Sequence, residues 1–142
     1  MEAPDDIRGS CLCGAIRFRI RPPLAPIQVC HCAACRKAQG GPFATNVPVA
    51  TAAFELLAGA DALREFESSP GKLRCFCGRC GSPVYSRRPA LPDVLRVRAG
   101  LLDGPLPVGP ATQAHVADRA NWWPALDDLP QIAPAAAPPA AR

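Results

Sequence analysis

The residues most able to do chemistry are the eight cysteines, which fall into three tight groups. They read Cys11-Leu12-Cys13-Gly14, Cys30-His31-Cys32-Ala33-Ala34-Cys35 and Cys75-Phe76-Cys77-Gly78-Arg79-Cys80-Gly81. Thiolates are soft anionic donors, and two from one tight turn fill one edge of a zinc tetrahedron. A second turn from elsewhere in the chain fills the opposite edge. Glycines in and after such turns let the backbone fold closely enough for amide protons to point at the sulfurs. The simplest partition joins Cys11 and Cys13 to Cys77 and Cys80 in a four-thiolate structural site. Cys30, Cys32 and Cys35 then form a group of three. A zinc with three protein ligands keeps one position for water or substrate, the mark of a catalytic site. Cys75 is left over. It reads either as a core thiol on the strand face of Cys77 or as a fourth ligand that closes the second site.

The neighbours of the middle group add candidates. In an extended segment Cys30 and Cys32 point one way and His31 the other, so His31 is expected in the core or hydrogen-bonded behind the ligands. Arg36 and Lys37 follow the last ligand and are candidates for holding a substrate carboxylate, although adjacent basic pairs are ordinarily solvated. Gly40 and Gly41 would let a substrate approach the backbone. Trp122 and Trp123 are candidates for a pocket wall or for packing. His115, far along the chain, is expected to be structural or solvated.

Short strands must position these residues. Ala15–Arg21 alternates apolar and basic residues and reads as a half-buried strand. Ile27–Cys30 is a second strand leading into the middle group, and Ala33–Gln39 is a turn or two of helix stopped at Gly40-Gly41. Phe43–Val49 reads as extended, ending at a proline. Phe54–Leu57 and Ala62–Glu67 flank a glycine turn and read as a hairpin, although the alanines and leucines of Ala52–Phe66 also suit helix. Lys72–Cys77, Pro83–Arg87, Val94–Ala99 and Gln113–Ala117 complete a mainly β single domain with short helical turns. Its ordered part is placed at residues 9–132, between a flexible N-terminus (1–8) and a disordered Ala/Pro-rich tail (133–142).

Bulk composition agrees. Of 142 residues, 49% are hydrophobic but only 6% aromatic, and 18 prolines and 11 glycines interrupt long elements. A core this poor in aromatics gains from a metal staple, because metal-binding free energy becomes folding free energy. The net charge of +4 falls to about +1 once two thiolate-bound zincs are counted. No run of five basic residues occurs, so nucleic-acid binding is disfavoured. Met1–Gly9 carries three acids and no apolar run, which does not read as a secretory signal. No stretch reaches the length of a membrane span. A cytoplasmic location is expected, where closely spaced cysteines read as metal ligands before disulfides.

The three cysteine motifs, with Gly9-Ser10 before the first, Arg36-Lys37-Ala38-Gln39-Gly40-Gly41-Pro42-Phe43 after the second and Ser82-Pro83-Val84-Tyr85 after the third, resemble the glutathione-dependent formaldehyde-activating enzyme family, also called the centromere-protein-V family. The segment His115–Gln131, with Trp122-Trp123 and Asp127-Asp128-Leu129-Pro130-Gln131, resembles that family's closing segment. The resemblance implies a zinc-binding β-tent fold shared with the Rab-binding factor Mss-four. It implies a structural zinc on Cys11, Cys13, Cys77 and Cys80 and a second zinc on Cys30, Cys32 and Cys35. It further implies a carbon–sulfur lyase activity on a thiol or thiol–aldehyde adduct such as S-hydroxymethylglutathione. The alternative is a binding module in which both zincs are structural.

Overall fold

A computed structural model of the chain describes residues 5–123 and 128–134. Residues 1–4 of the expected lead-in, Asp127 of the closing segment and residues 135–142 of the expected tail lie outside the described residues. The strands are β1 (Ile7–Ser10), β2 (Arg17–Ile20), β3 (Ile27–Cys30), β4 (Ala44–Ala50), β5 (Phe54–Ala58), β6 (Leu63–Ser69), β7 (Lys72–Cys77), β8 (Pro83–Arg87), β9 (Val94–Arg98) and β10 (Pro110–Ala114). One helix, α1 (Ala33–Gln39), follows β3. A three-stranded sheet has the order β1-β2-β5, and a seven-stranded sheet has the order β10-β3-β4-β9-β8-β7-β6. All pairings are antiparallel except that of β10 with β3. The mainly β, single-domain architecture expected from the sequence is therefore present.

Strand alternation explains where the core sits. Phe18 and Ile20 of β2 are buried while Arg17 and Arg19 point away. Val47 and Val49 of β4, with Leu95 and Val97 of β9, meet them from the larger sheet. Phe18 stacks on Phe54 at 5.0 Å, and Phe54 meets Tyr85 edge-on at 5.6 Å. Cys11 and Cys77 belong to this same cluster. The opposite face of the larger sheet carries Arg96 and Arg98 of β9 and Arg74 of β7, and α1 lies against part of it through Cys35 and Arg74.

Four sequence expectations need correction. Phe54–Leu57 and Ala62–Glu67 do not form a hairpin: β5 pairs with β2, and β6 pairs with β7. Gly59, at φ 92°, and a single 3₁₀ turn at Ala60–Ala62 carry the chain from one sheet to the other. A Cβ at Gly59 would run into the Ala15 carbonyl, so this crossing needs glycine. The first strand starts at Ile7, inside the expected lead-in. Pro48 lies within β4 rather than ending it; the pairing of β4 with β3 stops at Asn46, so its missing N–H disrupts no ladder there. The last strand is Pro110–Ala114, three residues earlier than expected, and stops before His115, whose φ is +56°.

Candidate metal centres

Two groups of thiols emerge from this framework. The first joins the turn after β1 to the turn between β7 and β8. The Sγ atoms of Cys11, Cys13, Cys77 and Cys80 all lie within 4.8 Å of one another. Cys11 and Cys13 are 3.6 Å apart and Cys13 and Cys77 are 3.8 Å apart. A zinc tetrahedron with Zn–S near 2.3 Å has an S–S edge of about 3.8 Å, so the donor set fits that ion. Gly14 and Gly81 close their turns at φ 79° and 82°, in the left-handed region. The Ile16 amide donates to Cys11 Sγ at 3.3 Å and the Arg79 amide to Cys77 Sγ at 3.4 Å. Ser82 was not singled out from the sequence. Its Oγ accepts from the Leu12 amide at 2.9 Å and from the Cys80 thiol at 3.3 Å, tying one turn to the other.

The electrostatics of this group call for a cation. Burial pushes the Cys80 thiol up, but hydrogen bonds from Ser82 and its neighbours outweigh it and hold the group at about 6. The Ala15 amide pulls Cys13 down, yet burial and hydrogen bonding to the other three thiols lift it to about 11. Four thiols this close cannot all ionise unaided.

The second group sits where β3 runs into α1. Cys30 ends the strand, Cys32 caps the helix with its Sγ accepting from the Cys35 amide at 3.3 Å, and Cys35 is buried in the first turn. The three Sγ atoms lie within 4.8 Å of one another. Among the described residues no fourth cysteine, histidine or carboxylate joins them. Burial raises Cys30 to about 11. Burial also pushes Cys35 up, but hydrogen bonds from Cys30, Cys32 and Arg74 bring it below its ordinary value. The Arg74 guanidinium places Nη1 and Nη2 at 3.9 and 3.8 Å from Cys35 Sγ. The compact thiol set and its cationic neighbour suit an anionic metal–thiolate group.

Cys75 stands apart. Its Sγ donates to Glu65 Oε2 at 3.3 Å across the β6–β7 ladder. Burial, then the hydrogen bond to Glu65 and the carboxylate's charge, push the thiol up to about 12. It is buried and lies outside both thiol groups, the arrangement expected of the first of the two readings open in the sequence.

His31 is buried, as expected, with Nε2 2.9 Å from Gln113 Oε1 of β10 and its ring edge-on to Phe43 at 5.3 Å. His115 is exposed. Arg36, Lys37, Gly40, Gly41 and Trp122 line one shallow pocket of about 220 Å³. Trp123 packs edge-on against Phe43 at 5.5 Å. Arg74 and Arg98, 9% and 3% exposed, are the site neighbours that the sequence reading missed. The available signal was their place in alternating strand patterns, which ordinarily marks an arginine as solvent-facing.

No helix among the described residues is long and apolar enough to cross a membrane. A solved structure of a Rhodobacter sphaeroides protein superposes with a TM-score of 0.60 over 73% of this chain and 99% of its own, at 23% identity, which shows a shared fold. A protein of Halomonas elongata, provisionally named a glutathione-dependent formaldehyde-activating enzyme, is 36% identical across 73% of this chain and 70% of its own length. The model of that family matches residues 6–118 and so spans both cysteine groups. The chain belongs to the glutathione-dependent formaldehyde-activating enzyme family.

Proposed function

We propose that this chain adds a thiol to an aldehyde carbon and reverses that addition at Cys30, Cys32 and Cys35, with glutathione and formaldehyde as the substrate pair. This is carbon–sulfur lyase chemistry. The observation that carries the reading is the inequality of the two cysteine groups. Four thiols meet in the first, but only three in the second, with Cys75 engaged by Glu65.

Zinc held by the three thiolates would supply a Lewis-acidic position that favours the thiolate form of a substrate thiol or polarises a carbonyl oxygen. The protein's own residues do the rest. Arg74 turns two nitrogens toward Cys35 Sγ and favours its thiolate form. His31, tied to Gln113, fixes the end of β3 beside β10 and packs edge-on against Phe43. In the addition, the sulfur lone pair forms the C–S bond and the carbonyl π pair moves to oxygen. That oxygen takes up the proton the thiol gave up. The reaction balances without an oxidant or reductant. Cys11, Cys13, Cys77 and Cys80 are assigned to a structural zinc. Arg36, Lys37 and Gly40 are assigned to the outer rim of the site, where Trp122 joins them. Eight free cysteines suit a reducing compartment such as the cytoplasm.

The test is exchange spectroscopy of glutathione and formaldehyde with zinc-loaded protein. Exchange between glutathione and S-hydroxymethylglutathione should outpace the spontaneous rate and return to it in Cys32→Ser. An unchanged rate with both zincs bound would sink the enzyme reading and leave a zinc-stabilised binding module.

A further inference from the structure

A second cavity opens one helical turn beyond Cys35. It measures about 280 Å³, and its walls include Gln39 of α1, Phe66 of β6, Arg74 and Phe76 of β7, and Arg98 of β9. Its lining contains Gln39, Arg74 and Arg98 as nitrogen donors, the Cys75 thiol, and no carboxylate. Arg98 is 3% exposed. Its Nη1 donates to Asn46 Oδ1, but its Nε has no hydrogen-bond partner among the described residues. Gln39 Nε2 is likewise buried and unpartnered among them. Arg74 donates from Nε to Ser68 Oγ at 2.9 Å and turns its other nitrogens toward Cys35.

Buried N–H groups without acceptors are costly, and two in the lining of one cavity make a deficit of a single kind. Charge tells the same story. Burial, then the nearby Arg74, lowers Arg98 to about 10. Burial also lowers Lys72, and Arg74, Arg98 and Arg88 add to that effect against the opposing pull of Cys35. A planar anionic acceptor would satisfy both the orphaned donors and the excess positive charge, and guanidinium groups match a carboxylate in shape and charge. The rings of Phe66 and Phe76 add apolar wall beside these donors, Phe66 itself being 63% exposed.

We propose that this cavity, with Gln39, Arg74 and Arg98 as donors, holds the carboxylate of the substrate thiol. The inference rests on the thiol reading of the second cysteine group. It moves the carboxylate from Arg36 and Lys37, on the shallow rim, to a cavity lined by the buried Arg74 and Arg98. Cys35 and Gln39 are one turn apart on the same face of α1, roughly 5–6 Å between Cβ atoms. A small thiol that carries its carboxylate on a short chain is therefore a fitting probe of this juxtaposition.

The experiment uses cobalt-substituted full-length protein and three probes: 3-mercaptopropionate, its neutral methyl ester, and 3-(methylthio)propionate, whose sulfur is blocked. Visible absorption follows the two thiols and calorimetry follows all three. The acid should bind at least about tenfold more tightly than the ester. Gln39→Leu should shrink that preference severalfold while leaving the ester's affinity unchanged. Equal binding of acid and ester by the wild-type protein overturns the proposal, whether or not the variant folds. An undiminished preference in folded Gln39→Leu overturns it too. Should neither thiol move the cobalt bands while 3-(methylthio)propionate still binds in a Gln39-dependent way, the thiol chemistry fails and the carboxylate site stands.

Discussion

The two cysteine groups use the same donor atom in opposite ways. The first draws its thiols from two turns in different sheets, and its polar neighbours are backbone amides and the Ser82 hydroxyl. Two of its members, Cys11 and Cys77, are packed in the hydrophobic core. The second draws three thiols from six consecutive residues and has the Arg74 guanidinium against Cys35, with a cavity lined by Arg74 nearby. Ligand number separates a closed site from an open one, but the surroundings separate them equally well. A group held by amides and hydroxyls is built to keep its geometry. A group beside a buried cation, with one ligand position open, is the one to which the proposed chemistry is assigned.

The largest expected effect sets the groups directly against each other. Cys77→Ser should lose one metal equivalent and lower the melting temperature by on the order of 10 °C or more, because that metal's binding free energy is folding free energy. Cys32→Ser should also lose one equivalent, yet shift the melt by only about 3 °C. Equal shifts in calorimetry would erase the distinction between a structural and a working site.

A smaller effect tests where the second group ends. Cys75→Ala should keep both metals and the cobalt spectrum, and cost about 1 kcal/mol for the lost buried thiol and its hydrogen bond. Loss of a metal equivalent would make Cys75 a ligand and the second site closed.

The smallest effect concerns Glu65, which occupies Cys75. The hydrogen bond from Arg87 holds its carboxyl below the ordinary value, against a smaller opposing push from burial. A depressed folded-state pKa adds stability above the unfolded value of about 4.5, and that stability is lost as pH falls through the folded value. Glu65 is 38% exposed, so the contribution is about 0.5 kcal/mol or less. Glu65→Gln should therefore be slightly less stable than wild type at pH 7, with the gap closing below about pH 4. A gap that persists in acid-denaturation curves would remove the ion pair as its cause.

Much of the site was readable because its signals are local. Ile27–Cys30, Lys72–Cys77 and Pro83–Arg87 match their strands residue for residue, since β-branched and aromatic residues between glycines and prolines specify short strands without outside help. The cysteine groups were legible by spacing alone. What failed depends on tertiary partners. Phe54–Leu57 and Ala62–Glu67 show the same pattern whichever sheet they join, and only the geometry at Gly59 sends them apart. Ile7 is the lone apolar residue beside acids, so β1 gave little sign of itself. Arg74 and Arg98 look like the wet face of their strands, and only tertiary neighbours, Cys35 of α1 and Ser68 for Arg74 and Asn46 of β4 for Arg98, turn them inward.

The turn-to-turn construction of the first group also governs how quickly its metal can come and go. Cys13 and Cys77 are 64 positions apart and belong to turns of different sheets. Fraying of one hairpin frees only two donors, so release must wait for the sheets to separate, which couples metal exchange to the rare global opening of the domain. The second group lies on one strand end and one seven-residue helix, and a local unwinding of α1 would be enough to release an ion held there. Extraction by a chelator should thus run in two phases, a fast one for the working site and a slow one paced by unfolding. On this reading the second group should be open to stripping and reloading with another metal while the first, still loaded, keeps the domain folded.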